Sequence, residues 1–216
     1  MRTLIINGGN ISNDFASVYI KDNRFDKIIA VDGGLSFANS MDIIPDYIVG
    51  DFDTVPKFIL DQYEGKSEII RFNPEKDNTD SDLAIRLACD IGSSEIVIIG
   101  ATGRRIDHTI ANIELLTIPL KAGIQAYIID EYNKLYLIDG IHCIERQDMY
   151  GKYISLIPLT EYVKGLTLTG FKYLLKDYTY KYGSSLGVSN ELKDEHGYIE
   201  LSEGILIVME TKDWKG

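Results

Sequence analysis

The 216-residue sequence has few cysteines and no long apolar run, and both absences narrow the kinds of protein it can encode. Its two cysteines, Cys89 and Cys143, have no Cys-x-x-Cys partner, which predicts reduced structural residues and not a zinc site. No stretch approaches the roughly 20 apolar residues of a membrane-spanning helix. The apolar run after Met1 is too short for a signal peptide, so we expect a cytoplasmic protein with no membrane partner.

Basic residues are also scarce. The chain has 22 Lys and Arg against 33 Asp and Glu, which gives a formal net charge of −11. A protein that binds nucleic-acid phosphates needs clustered Lys and Arg, so we expect no nucleic-acid partner.

Residues 1–132 alternate between short apolar runs and amphipathic helical patterns. The runs are rich in Ile and Val and barely alternate in polarity, which is typical of strands buried on both faces of a parallel sheet. They are TLIIN, KIIAVD, YIVGD, EIIRF, EIVIIGA and QAYIID, and the helical patterns between them include PKFILDQY, SDLAIRLACDIG and HTIANIELLTIPLKAG. This alternation predicts an N-terminal open, mostly parallel α/β sheet domain.

Residues 133–216 have a different pattern, with short strand-like runs rich in Tyr and Thr between Gly, Asp and Asn turns. No helical pattern follows residue 124. The sequence therefore predicts a second, small all-β sandwich domain over 133–216.

Acidic side chains follow several of the predicted parallel strands. Ligands of open α/β sheets lie outside the carboxyl ends of the strands, so these side chains should share one edge. Oxygen ligands without accompanying Cys or His favour Mg²⁺, which takes one or two carboxylates together with substrate phosphates. The candidates for metal binding and catalysis are Asp51, Asp53, Asp77 and Asp80.

Helix capping is the alternative role for some of these residues. Asp53 or Thr54 would cap a helix that begins at Pro56, and Thr79 with Asp82 resembles a capping box.

A glycine-rich segment, GATGRRIDH, joins a predicted strand to a predicted helix. Glycine allows close approach of the backbone to a phosphate, arginine adds donors, and a helix N-terminus favours negative charge. The Gly-Lys-Ser/Thr end of a Walker A loop is missing. His108 is interpreted as a residue that orders the loop. The candidate residues for binding a phosphate-bearing ligand are Asp32, Gly33, Gly100, Thr102, Gly103, Arg104, Arg105 and Asp107.

Taken in order, these segments resemble the thiamine pyrophosphokinase family. The resemblance rests on the "DGG" at 32–34, "GDFDT" at 50–54, "KDNTDSDLA" at 76–84, the glycine-rich loop and "GSSLGVSNE" at 183–191. It implies transfer of pyrophosphate from ATP, with Mg²⁺, to the hydroxyl of thiamine. It also implies a homodimer with active sites shared between subunits.

The resemblance further implies a set of thiamine-binding residues, which comprises Asp107, Tyr173, Ser189 and Asn190. Two positions depart from the family pattern. Thr54 replaces a serine but keeps the hydroxyl, and Tyr173 stands where animal members have a tryptophan; a tyrosine can still stack on an aromatic ring.

Three other functions fit parts of the pattern. "DFDTV" also matches haloacid dehalogenase-type phosphatases, in which Asp51 would be the covalent nucleophile. The chain could instead be a non-catalytic sensor of a nucleotide or thiamine, or an enzyme of the same fold with another hydroxylated acceptor. The sequence does not say which carboxylate accepts the hydroxyl proton.

Overall fold

Parallel strands and helices alternate through the first part of this computed structural model, which describes residues 1–53, 55–71 and 78–213. The chain divides into two units, Met1–Glu131 and Tyr132–Gly216. In the described part of the chain, no helix is long and apolar enough to cross a membrane. Both cysteines are free thiols.

In the first unit, the described residues form six strands and six α-helices. The strands are β1 (Arg2–Ile6), β2 (Lys27–Val31), β3 (Tyr47–Gly50), β4 (Glu68–Arg71), β5 (Glu95–Ile99) and β6 (Gln125–Ile129). The helices are α1 (Asn13–Asp22), α2 (Gly34–Ser40), α3 (Lys57–Leu60), α4 (Asp80–Asp90), α5 (Ile106–Leu115) and α6 (Thr117–Lys121), and a 3-10 turn spans Asp61–Tyr63.

The six strands lie in the order β4-β3-β2-β1-β5-β6, and every neighbouring pair is parallel. The central strands are apolar because both of their faces are covered; Leu4, Ile5 and Ile6 of β1 have no exposed surface. The chain leaves β1 for β2 on one side and later enters β5 on the other, which creates a switch in strand order. Such a switch opens a crevice at the carboxyl ends of the strands.

Helix α2 lies very close to β1. A Cβ atom added at Gly34, its first residue, would come within 2.0 Å of the carbonyl oxygen of Ile6. Glycine therefore allows the N-terminus of α2 to contact the backbone of β1 directly. This contact holds the loop between β2 and α2 over the carboxyl end of the sheet.

In the second unit, the described residues form seven strands. They are β7 (Asn133–Ile138), β8 (His142–Glu145), β9 (Tyr153–Pro158), β10 (Tyr162–Thr169), β11 (Leu175–Lys181), β12 (His196–Glu200) and β13 (Leu206–Thr211), and a 3-10 turn spans Arg146–Asp148.

These strands form two antiparallel groups, β7-β13-β9 and β11-β10-β12-β8. The hydroxyl of Tyr180, on β11, donates a hydrogen bond of 3.1 Å to the carbonyl of Leu156, on β9, so the two groups face each other. Among the described residues, no α-helix follows α6. The predicted fold class, a mostly parallel α/β sheet followed by an all-β sandwich, is confirmed.

One apolar run in this unit contains a break. The strand-like pattern KGLTLTGFKYLL, residues 164–175, predicts one continuous strand, but β10 ends at Thr169 and β11 begins at Leu175. Gly170 adopts φ 81°, and a Cβ there would come within 1.9 Å of the carbonyl oxygen of His196. The turn that follows brings Tyr173 to the surface.

We predict that Gly34→Ala destabilises the protein, because its methyl group would overlap a backbone atom that cannot move away. Overpacking of this kind typically costs about 1–3 kcal/mol. Gly140→Ala is the matched control, since a Cβ at Gly140 meets no atom within 4 Å. Thermal unfolding followed by circular dichroism should show a lower Tm for Gly34→Ala only. Equal Tm values for the two variants would contradict this account of the contact between α2 and β1.

Candidate active site

A cavity of about 920 Å³ opens at the carboxyl ends of β1, β2, β3 and β5. This volume lies within the range of small-molecule and cofactor sites. Nine residues predicted from the sequence line it: Asp32, Gly33, Asp51, Asp80, Gly100, Thr102, Gly103, Arg104 and Arg105. The walls also include 7–10, Val31, Asn78, Thr79, Ser81, Ala101, His108, Thr109 and Asn112.

Two loops join along their backbones to form one wall of this cavity. The N–H of Gly9, after β1, donates to the carbonyl of Gly100, after β5, at 2.9 Å. One residue further, the N–H of Asn10 donates to the carbonyl of Thr102 at 3.0 Å. A Cβ at Gly9 would come within 2.2 Å of the Gly100 oxygen, so only glycine permits this approach. The loop after β5 is therefore held in one conformation before any ligand arrives.

Asp32 follows β2 with φ 42°, a left-handed conformation that is uncommon for any residue but glycine, although Asp tolerates it. Its N–H donates to the carbonyl of Val49 at 2.9 Å, and its own carbonyl accepts from the N–H of Leu35. The turn places Asp32 and Gly33 in the cavity wall.

Asp51 and Asp53 lie on either side of a buried aromatic ring. Phe52 has φ 64° and is 7% exposed, and it belongs to an apolar cluster with residues such as Ile48 and Leu60. The left-handed turn at Phe52 places Asp51 in the cavity wall, whereas Asp53 is exposed and lies outside the set of lining residues. The N–H of Asp53 donates to Oδ1 of Asp51 at 3.1 Å.

The two proposed caps differ. Helix α3 begins after Pro56 without a side-chain cap, so Asp53 does not cap it, and Thr54 lies outside the described residues. Thr79 does cap α4, because its hydroxyl accepts from the N–H of Asp82 at 3.3 Å. This cap places Asp80 in the first turn of α4, at the cavity. Asp77 also lies outside the described residues.

The glycine-rich loop brings positive charge to the other side of the cavity. Arg104, Arg105 and His108 all line it, and α5 begins at Ile106. Arg105 forms an ion pair with Asp107, which is itself not among the lining residues. The hydrogen bond from this guanidinium holds the pKa of Asp107 at about 2, below its ordinary value of 3.8.

Comparison with known proteins gives matches over almost the whole chain. Residues 21–128 match the family model described as thiamin pyrophosphokinase, catalytic domain, and residues 141–206 match thiamin pyrophosphokinase, vitamin B1 binding domain. Thiamine pyrophosphokinase from Bacillus subtilis (strain 168) is 35% identical over 215 residues, which cover 99% of this chain and 100% of the relative.

Solved structures agree with these matches. The crystal structure of thiamine pyrophosphokinase from Bacillus subtilis superposes with a TM-score of 0.87 at 32% identity, covering 99% of this chain and 100% of the other. The enzyme from Geobacillus thermodenitrificans gives 0.85 at 32% identity, covering 99% and 98%. This chain belongs to the thiamine pyrophosphokinase family.

Family membership confirms the resemblance found in the sequence and the class of enzyme, a pyrophosphotransferase of the kinase type. None of these matches supports the phosphatase or the sensor. The individual residue roles are not tested by family membership and stay predictions.

The thiamine-binding residues predicted in the second unit are held by one another. Tyr173 is 60% exposed, and its backbone N–H and carbonyl both bond to the buried side chain of Asn190, at 3.0 and 2.8 Å. Ser189 is exposed, with a left-handed φ of 59°, and its N–H donates to the hydroxyl of Ser155. Asn190 thus has its amide engaged in holding Tyr173, while Tyr173 and Ser189 present free surface.

Several lining residues are absent from the set predicted by the sequence. The segment 7–10, "NGGN", follows β1 directly and carries two glycines, a signal of the same kind as the one at 100–103. Asn112 also lines the cavity and donates to the carbonyl of Ala101 at 2.8 Å. Asp130, after β6, accepts from the hydroxyl of Thr102 at 2.9 Å and so orients it.

The donor types fit a magnesium ion accompanied by phosphates. Asp51 and Asp80 both line the cavity and offer carboxylate oxygens, as Mg²⁺ prefers. Within 1–53, 55–71 and 78–213, no three acidic, His or Cys side chains converge into a ready-made metal cluster.

We predict that Arg105→Ala raises the pKa of Asp107 toward 3.8, because the charged hydrogen bond that favours the carboxylate is lost. In the wild type, Asp107 should stay ionised as the pH falls to about 3. A carboxyl-carbon NMR titration measures both values. Arg104→Ala is the control, since the arginine paired with Asp107 is Arg105. An unchanged Asp107 titration in Arg105→Ala would contradict the ion pair.

Proposed function

We propose that this chain catalyses Mg²⁺-dependent transfer of the pyrophosphoryl group of ATP to the hydroxyl of thiamine, giving thiamine diphosphate and AMP. The observation that carries the proposal is the cavity. In a chain of this family, it combines carboxylates from β2, β3 and α4 with the arginines and glycines that follow β5.

In this proposal, the loop after β5 binds the phosphates of ATP. Gly100 and Gly103 let the backbone approach the phosphate oxygens, and the N-terminus of α5 favours their negative charge. Arg104 and Arg105 supply guanidinium donors that match phosphate geometry. Because the hydrogen bonds from the loop after β1 hold this loop, the donors need little reorganisation on binding.

The carboxylates would hold the metal. Asp51 and Asp80, with Asp53 and Asp77, are the proposed ligands, and Asp32 contacts the nucleotide side of the cavity. When bound, Mg²⁺ offsets the negative charge that develops as the bond between the α and β phosphates breaks. One of these carboxylates accepts the proton of the thiamine hydroxyl.

Thiamine combines a flat aminopyrimidine with a cationic thiazolium, so its site needs an aromatic face, a carboxylate and neutral polar groups. We assign these roles to Tyr173, Asp107 and Ser189, with Asn190 holding Tyr173 in place.

We further propose that the protein is a homodimer with active sites shared between its subunits. Large apolar side chains lie exposed next to the proposed thiamine residues in the chain, among them Leu174 beside Tyr173 and Val188 beside Ser189. Exposed apolar groups of this kind are typical of a surface that another protein covers. A cytoplasmic location belongs to the same proposal, because the reaction consumes ATP.

The phosphatase alternative fits the structure less well. In haloacid dehalogenase-type enzymes the Asp-x-Asp motif usually follows the first strand, whereas Asp51 here follows β3. The phosphatase reading also leaves the loop at 100–105 without a role.

The first test identifies the products. Protein incubated with thiamine, ATP and Mg²⁺ should release AMP and thiamine diphosphate in equal amounts, measured by ion-pair chromatography. Asp51→Asn should reduce turnover by about 10²–10³-fold. Losing a metal ligand removes several kcal/mol of transition-state stabilisation, and each ~1.4 kcal/mol changes the rate about tenfold. ADP with thiamine monophosphate would refute the proposed reaction. Cleavage of p-nitrophenyl phosphate would favour the phosphatase.

The second test concerns thiamine and the dimer. Tyr173→Ala should raise the KM for thiamine roughly fivefold to tenfold and leave the KM for ATP unchanged, because one stacked ring is lost. Tyr182→Ala, at a comparably exposed tyrosine, is the matched control.

A mixing experiment tests whether the active sites are shared between subunits. If each site takes residues from both subunits, co-expressed Asp51→Asn and Tyr173→Ala chains assemble one intact site in every mixed dimer. At low thiamine, their activity should exceed the sum of the two separate variants. No gain, or a fully active monomer by light scattering, would rule out shared sites.

A further inference from the structure

Asn7 is a buried polar residue for which the proposed reaction has so far assigned no role. It follows β1, is 4% exposed and lines the cavity, and it lies outside the residues that match the catalytic-domain model. Buried polar groups are nearly always hydrogen-bonded, so each of its polar atoms should have a partner.

The backbone of Asn7 cannot shift. Its N–H donates to the carbonyl of Ile99 at 2.9 Å. Its carbonyl packs so closely on Gly100 that a Cβ there would come within 2.3 Å of the oxygen. The position of its side chain is therefore set by the sheet.

The side chain is held at one end only. Its Nδ2 donates to the hydroxyl of Ser81 at 2.9 Å, and Ser81 lies beside Asp80 in the first turn of α4. Its Oδ1 has no hydrogen-bond partner among residues 1–53, 55–71 and 78–213. A buried acceptor without a partner is costly, and it persists where a ligand supplies the donor.

The surroundings restrict what that donor is. Asp32, Asp51 and Asp80 line the same cavity, and ionised carboxylates are acceptors only. Arg104 and Arg105 also line it, but they come from the loop after β5 and are assigned to the phosphates. The phosphates of a nucleotide are also acceptors. The water molecules that Mg²⁺ retains when it binds are donors, and carboxylates attract such a hydrated ion.

We propose that Oδ1 of Asn7 accepts a hydrogen bond from a water molecule of the hydrated Mg²⁺ that accompanies the nucleotide. This inference rests on the proposed function. Asn7 then contacts the metal hydrate directly, and the hydrogen bond to Ser81 holds its amide nitrogen and so fixes the orientation of the amide group.

A thermal-shift titration tests the contact between Asn7 and the hydrated Mg²⁺, and it does not depend on turnover. Protein with α,β-methylene-ATP, whose bond between the α and β phosphorus atoms is not cleaved, is titrated with Mg²⁺, and the concentration that gives half of the maximal rise in Tm is recorded. Asn7→Ala should need about tenfold more Mg²⁺, the typical effect of losing a hydrogen bond to a charged group. Should Asn7→Ala fail to fold, Asn7→Ser replaces it, because its side chain is too short to span both partners.

Asn7→Asp is the rescue variant. A carboxylate keeps the acceptor, and the hydroxyl of Ser81 can turn to donate to it. Its Mg²⁺ midpoint should equal the wild-type value or fall below it. A midpoint as high as that of Asn7→Ala would overturn the inference, because the contact would then be a donation from the amide nitrogen.

Asn23→Ala is the matched control away from the cavity. Asn23 caps the end of α1 and bonds to Arg2 and Tyr19, so its loss should lower Tm without nucleotide and leave the Mg²⁺ midpoint unchanged. An unchanged midpoint in Asn7→Ala, with a normal wild-type response, would overturn the assignment of Asn7 alone. A wild-type protein with no Mg²⁺-dependent shift would count against the proposed function itself.

Discussion

The close approach of three backbone segments at the carboxyl edge of the parallel sheet is the constraint on which the site depends. Gly9 meets the loop after β5, and Gly34 meets the end of β1, each at a distance that leaves no room for a Cβ atom. Hydrogen bonds between backbone groups then join the loops after β1 and β5. A ligand that enters this edge meets a surface that is already formed, so little ordering free energy is lost on binding.

The same edge carries charges of opposite sign in separate places. The carboxylates come from the ends of β2 and β3 and from the first turn of α4, whereas the arginines come from the loop after β5. The two sets of charged groups therefore come from different segments of the chain. A nucleotide with bound Mg²⁺ carries a positive metal ion and negative phosphates, so its charges are complementary to those of the cavity.

Strain accompanies this arrangement. Asp32 and Phe52 adopt left-handed conformations that non-glycine residues reach only at a cost, and both flank residues of the proposed site. Burial of the Phe52 ring among apolar side chains offsets that cost, and Arg71 lies over the ring at 5.1 Å. In the second unit, Ser189 shows the same left-handed conformation beside Asn190, which holds Tyr173.

The sequence by itself determined that an α/β domain precedes an all-β domain. It also determined the order of the parallel strands along the chain and the family. Runs of Ile and Val that are typical of buried strands, glycine-rich turns and acidic pairs are all local patterns. Local patterns can be recognised in the sequence alone. Only the tertiary structure decided which of the acidic residues face one cavity. Asp51 and Asp53 look equivalent in sequence, but the turn at the buried Phe52 puts Asp51 in the wall and leaves Asp53 exposed. The roles of Asn7 and Asn190 were likewise beyond the sequence, because each depends on partners 74 and 17 residues away that only folding brings within hydrogen-bond distance.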